Sequence, residues 1–227
     1  MTKETYQLLE HFMQSQMEER DGAHNQEHIY RVLAVGLDIA EHEPGVEYDV
    51  LIAACLLHDI GRKEQLENPR LCHAAEGAKK AYAFLLEKGF SPDYAKRVKD
   101  CIKRHRFRSD DPPVALEERI LFDADKIDVS GAVGVARTLC YAGQVGKPLY
   151  LLQADGRISD GTKDETDSFF REYQHKCKEI ASALYTERGR QLAKERQQAA
   201  EAFYQAMRTE LLCSREQLSG RLKRCLE

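Results

Sequence analysis

The placement of proline constrains the fold of this chain more than any other feature. All six prolines (Pro44, Pro69, Pro92, Pro112, Pro113 and Pro148) fall between segments of helical period, and none interrupts one. A ring without an N–H that clashes with the preceding turn marks the joints of a helical chain. The spacing predicts helices over 3–20, 25–42, 48–60, 72–88, 92–105, 114–128, 131–143, 164–186 and 189–213, with a weaker one near 214–225. Ser91-Pro92-Asp93 supplies an N-cap, a first-turn proline and an acid, while Gly89 closes the helix before it. No run alternates β-branched and polar residues as a strand would, and no repeat or low-complexity tract is present. The expected class is all-α.

A chain of 227 residues with 42% hydrophobic and 32% charged residues can bury one sizeable core and stay soluble. Residues 1–145 are expected to hold that core with an N-terminal helix. Residues 146–227 are expected to supply a connecting loop and C-terminal helices that pack on the same core, as one domain. The irregular stretch 145–162 is either a plain connection or a lid. A net charge of -4 and a pI near 6.1 give no basic field, which argues against bulk nucleic-acid binding. The seven cysteines are scattered and form no C-x-x-C pair, so neither a disulfide framework nor a thiolate zinc site is expected. There is no signal-peptide pattern and no apolar run of membrane-spanning length, so a cytoplasmic protein without a membrane role is expected. The apolar positions of the C-terminal helices would pack on the bundle or make a homodimer.

His58-Asp59 ends the apolar run Leu51-Ile52-Ala53-Ala54-Cys55-Leu56-Leu57, just before Ile60-Gly61. Adjacent residues point to different sides of a helix, so both could ligate one cation only where the helix ends on a cavity, and Gly61 supplies that end. His28, in His28-Ile29-Tyr30-Arg31-Val32, and Asp125, in Leu121-Phe122-Asp123-Ala124-Asp125-Lys126-Ile127, are likewise polar groups in apolar sequence. Burying an ionised carboxylate costs several kcal/mol (order of magnitude) unless a cation or strong hydrogen bonds compensate. A divalent ion would do so.

With these residues in view, the chain resembles the HD superfamily of metal-dependent phosphohydrolases, and among them the stand-alone bacterial members. The family pattern of a His, a His-Asp pair and a distant Asp maps onto His28, His58, Asp59 and Asp125. Further similarity lies in His73 followed by Glu76, in Ile102-Lys103-Arg104-His105, and in Asp123 to Asp128 leading into Gly131-Ala132-Val133-Gly134-Val135-Ala136-Arg137. It covers roughly residues 20–210 and departs at His24-Asn25-Gln26-Glu27, so His24 is not carried over. The resemblance implies an HD-domain helical bundle with a C-terminal helical extension. It also implies His28, His58, Asp59 and Asp125 as metal ligands, and makes His73 and His105 ligands of a second ion, groups that hydrogen-bond around a single ion's ligands, or phosphate contacts. By alignment Asp125 rather than Asp123 is the distal ligand. Asp128 shares its face and would orient a histidine or meet a sugar hydroxyl, while Asp123 would cap a helix or pair with a cation.

Mixed imidazole and carboxylate ligands with an open position suit Mn, Fe, Ni, Zn or Mg. Such an ion, one or two, would activate water for in-line attack on phosphorus. His58 and Asp59, with Arg62 and Lys63 directly after Gly61, form the expected catalytic group. Arg62, Lys63, Arg104, Lys126, Asp128 and Arg137 are the expected substrate contacts, and the cations favour a small phosphorylated substrate, in particular a nucleotide. Two other functions fit: an HD-type di-iron oxygenase, and a non-catalytic domain that senses a nucleotide.

Overall fold

The computed structural model describes residues 1–17, 25–106 and 110–226. The helices are α1 (Lys3–Gln16), α2 (Gln26–Ala40), α3 (Tyr48–Leu57), α4 (Arg62–Glu67), α5 (His73–Glu87), α6 (Pro92–Arg104), α7 (Leu116–Ile127), α8 (Gly131–Gln144), α9 (Phe169–Glu172) and α10 (Glu187–Leu226). No strand occurs among the described residues, and the class is all-α. Leu152 and Ile158 form one isolated antiparallel bridge. No described helix is long and apolar enough to cross a membrane.

The chain divides into two compact units, Met1–Asp128 with Leu184–Leu192, and Val129–Ala183 with Ala193–Glu227. In the first, α3 is apolar all round and is the central element, packing against α1, α2, α6 and α7. Val50, Leu51 and every residue from Ala53 to Leu57 are buried. At about 25 cal/mol per Å² of apolar surface removed from water, this run is a principal source of the unit's stability. The second unit is built around Val135, Phe169, Phe170, Tyr173, Cys177, Ala200 and Tyr204.

Local chemistry explains most helix starts. Thr2, Asn25 and Ser91 each accept a backbone N–H through the side chain at the head of α1, α2 and α6. Glu118 accepts from the Val114 and Ala115 N–H groups at the head of α7.

The structure differs from the sequence expectation in three places. Residues 62–67, which the periodicity leaves unassigned, form the short α4. The segment 164–186 is not one helix: α9 passes into a π-helical turn, Tyr173–Cys177, and then a 3-10 turn, Ile180–Ala183. Lys178 N–H bonds the Tyr173 carbonyl there (2.9 Å), and the wider turn accompanies burial of Phe169, Phe170, Tyr173 and Cys177 together. Beyond it, the chain from 187 is a single helix rather than two.

Gly61 acts by close approach. Its φ is -94°, an ordinary value, but an added Cβ would lie 2.2 Å from the His73 carbonyl and 2.4 Å from Gly77 N. Only glycine lets the turn between α3 and α4 press against the start of α5, where Asp59 Oδ1 lies 3.4 Å from His73 Nε2.

Candidate metal centre

Four histidines reach one space from four helices. His28 lies in the first turn of α2, His58 at the C-cap of α3, His73 at the start of α5 and His105 at the C-cap of α6, and all four are buried. Each has its Nδ1 fixed. His28 Nδ1 donates to Asp128 Oδ2 (2.7 Å), His58 Nδ1 to the Cys55 carbonyl (2.9 Å), His73 Nδ1 to Gln65 Oε1 (2.6 Å) and His105 Nδ1 to the Ile102 carbonyl (2.6 Å). The acceptors are oxygens, so the proton sits on Nδ1 and every Nε2 presents a lone pair.

Those lone pairs converge. His28 and His58 Nε2 are 3.2 Å apart, and His73 and His105 Nε2 are 3.3 Å apart. Asp59 stands between the two pairs. Its Oδ2 lies 3.6 Å from His28 Nε2 and 3.7 Å from His58 Nε2, while its Oδ1 lies 3.4 Å from His73 Nε2 and 3.7 Å from His105 Nε2. Asp125 Oδ1 completes the first side at 3.5 Å from His28 Nε2 and 3.9 Å from His58 Nε2. Two groups result, His28 with His58 and Asp125, and Asp59 with His73 and His105, each with ligand atoms within 4.8 Å of one another.

The donor set fits a cation. Asp59 is buried, and neither carboxylate oxygen has a hydrogen-bond partner among the described residues. Burial by itself would raise its pKa, but the Arg62 guanidinium, with Nε 3.0 Å from Oδ2, holds it well below the usual carboxylate range. Burial would also raise Asp125, yet the neighbouring Lys126 ammonium (2.7 Å) holds it well below the usual range. Burial pushes His73 down to about 2 and His105 to about 3, and lowers His58. Ionised carboxylates beside neutral imidazoles whose lone pairs face one another are divalent-ion chemistry.

The remaining sequence candidates lie in different surroundings. Asp128 is buried and gripped by Arg31 as well as His28. Arg62 is half-buried over Asp59, and Lys63 is exposed on the first turn of α4. Arg104 is committed to Asp111 (2.7 Å) and Glu118 (2.8 Å), and Lys103 pairs with Asp111. Arg137 is buried on α8 in the second unit. Asp123 holds the segment just before α10, accepting the Tyr185 and Thr186 N–H groups and the Thr186 hydroxyl. His11, His42 and His175 are exposed. His24 and residues 107 and 108 of the basic stretch lie outside the described residues. Sequence reasoning did not assign Arg31 and Gln65, which hold His28 (through Asp128) and His73. Arg31 carried a signal, one helical turn after His28, whereas Gln65 sits on the helix the periodicity did not show.

A helical unit that converges four histidines and two aspartates on one buried space defines a class: an all-α protein with a His/Asp cluster suited to divalent metal. The family model of the HD domain matches residues 25–130, which carry all of these side chains. The chain is 27% identical over 189 residues to YpgQ of Bacillus subtilis, covering 82% of this chain and 83% of YpgQ. The structure of that protein in complex with ADP superposes with a TM-score of 0.70 at 24% identity, over 90% of this chain and 97% of that one. An HD-superfamily hydrolase from Bacillus thuringiensis superposes with a TM-score of 0.68 at 25% identity, over 92% and 97%. Residues 25–130 match the HD domain, and that stretch holds the whole His/Asp cluster.

Proposed function

We propose that this protein is a metal-dependent phosphohydrolase that cleaves a phosphate ester or anhydride, with nucleotides as its substrate class. The observation that carries the reading is Asp59, a buried carboxylate whose two unbonded oxygens each face a different pair of histidine lone pairs. We assign one divalent ion to each group of ligands: His28, His58 and Asp125 for one, His73 and His105 for the other, with Asp59 shared. Held by these residues, a divalent ion (Mn, Fe, Ni, Zn or Mg) would supply water activation and positive charge for attack on phosphorus.

The chain's own residues do the rest. Arg31 and Asp128 orient His28, and Gln65 orients His73, so the lone pairs are aimed before any ligand arrives. Arg62 keeps Asp59 ionised and, with Lys63 beside it, offers cations to substrate phosphates. Lys126 does the same next to Asp125. Arg104 is better placed as part of the ion-pair network of Asp111 and Glu118 than as a phosphate contact. The ADP bound to YpgQ supports a nucleotide as the substrate class.

Elemental analysis of the purified protein tests this, coupled to phosphate and pyrophosphate release from a nucleotide panel with each divalent metal. Bound divalent metal is expected, with hydrolysis that Asp59→Ala abolishes. Absence of release from every nucleotide with every metal overturns the reading. The arrangement of two ligand groups also suits a pair of irons, and two irons with oxygen uptake and no hydrolysis would favour the oxygenase.

A further inference from the structure

The connection between α8 and α9 plays no part in the chemistry above, yet it is a built structure within the second unit. Around the Leu152–Ile158 bridge, Gln153 N–H bonds the Arg157 carbonyl (2.8 Å) and Ser159 N–H the Leu151 carbonyl (2.9 Å), with a turn at Gly156 (φ +79°). The Tyr204 hydroxyl on α10 donates to the Asp160 carbonyl (2.7 Å), and Gln174 Nε2 donates to the same oxygen (3.2 Å). Gly161, at φ +87°, lies so near Phe170 that a Cβ would sit 2.4 Å from its carbonyl. Between this loop and α10 is a cavity of about 810 Å³, lined by Arg157, Lys163, Arg208 and Arg215, with Ile158 and Leu212 as apolar wall.

The charges are arranged unequally. Three carboxylates also line the cavity, each engaged in part by the loop itself, while Asp164 Oδ2 is buried without a hydrogen-bond partner. Asp155 takes the Arg157 N–H (2.9 Å) and side chain (2.6 Å), Asp160 takes the Thr162 N–H (2.9 Å), and Asp164 takes the Ser159 hydroxyl (2.5 Å). Lys163, Arg208 and Arg215 make no ion pair among the described residues. Arg208 acts electrostatically on Asp160, but four cations against three carboxylates leave the lining net positive, and guanidinium forks match phosphate oxygens. Small-molecule sites span roughly 300–1,000 Å³.

We propose that this cavity is a second ligand site, separate in its residues from the His/Asp cluster, that takes a phosphate-bearing organic molecule of nucleotide size. Arg208 and Arg215 hold the phosphates, Lys163 adds charge, and Ile158 and Leu212 contact the apolar body.

Hydrogen exchange and calorimetry on the full, metal-stripped chain test it, with ATP and inorganic tripolyphosphate as probes. ATP should slow exchange in residues 153–164. Arg208→Ala with Arg215→Ala should weaken that binding about tenfold or more at an unchanged melting temperature. Tripolyphosphate should bind about tenfold more weakly than ATP, because it lacks an apolar body. Lys163→Ala, at an exposed position, should weaken ATP about threefold and serves if the arginine variants fold poorly. Protection confined to the helices of the metal cluster, or unchanged affinity in the variants, would overturn the second site. Equal binding of the two probes would overturn its assignment to an organic phosphate.

Discussion

Arg31 and Asp128, 97 residues apart, form a forked ion pair, Nε to Oδ1 at 2.7 Å and Nη2 to Oδ2 at 3.0 Å, and the same carboxylate accepts the His28 Nδ1–H at 2.7 Å. The arginine neutralises a buried acid that would otherwise draw a proton onto His28, and it fixes the direction in which the imidazole presents Nε2. Arg31→Met should lower divalent-metal affinity about 10- to 100-fold, the range typical of groups that orient a ligand. Arg31→Lys keeps the charge without the fork and should fall between. Competition against a chromophoric chelator measures this, and equal affinity in Arg31→Met and wild type would refute an orienting role.

The two ligand groups make a prediction about stoichiometry. His73→Ala or His105→Ala removes a ligand from the group that includes Asp59, and each should cost one bound ion while the other stays. Asp59→Ala, which strips a carboxylate oxygen from both sides, should reduce occupancy of both. Elemental analysis after equilibration with Mn provides the count. Full occupancy in His73→Ala and His105→Ala alike would sink the division into two groups.

Buried neutral histidines give the metal-free protein a defined pH response. In the unfolded chain these imidazoles titrate near 6.5, whereas in the fold burial holds His73 near 2 and His105 near 3. Between those values the unfolded state binds more protons, so stability falls as pH drops through 6.5 and is level above it. Each histidine contributes at most about 1.4 kcal/mol per pH unit inside that window. The depressed Asp59 and Asp125 act in the same direction, but only as pH nears and falls below 3.8. Urea midpoints should therefore agree at pH 7.5 and 8.5 and drop steadily from pH 6 to 4.5. A flat profile to pH 4.5 would contradict neutral burial.

Asp123 and Asp125 are two residues apart and should fail differently. Asp123 holds the start of α10 through the Tyr185 and Thr186 N–H groups, and Thr186 in turn caps that helix by accepting the Gly189 N–H (3.1 Å). Asp123→Ala leaves buried donors unpaired and should cost about 2–3 kcal/mol of stability with metal content unchanged. Asp125→Ala should lose metal while melting close to wild type in the apo form. Calorimetry and metal analysis on both proteins separate the roles, and the reverse pattern would reassign the distal ligand.

Much of the fold was legible because helix signals are local. The proline positions, the caps at Asn25 and Ser91 and the continuous apolar run of α3 each act within a few residues, and the helices they imply are present. The helix expected over 164–186 is not a single element: Phe169, Phe170, Tyr173 and Cys177 would share one face, an arc of about 100°, on a regular helix, so the apolar period alone does not reveal the π turn Tyr173–Cys177 or the 3-10 turn after it. The missed α4 is six residues long, below the length at which periodicity is readable.

By itself the sequence determined an all-α chain and the residues able to hold a cation, because residue type and helical period are properties of neighbours along the chain. Tertiary structure alone decided which groups meet: that Asp59 stands between two histidine pairs, that Arg31 serves His28 through Asp128, and that Arg104 is bound to Asp111 and Glu118. It also decided that the four imidazoles of the cluster carry their protons on Nδ1. Those outcomes depend on where distant acceptors come to rest, and on burial that removes water as the alternative partner, so they come into being only as the chain packs.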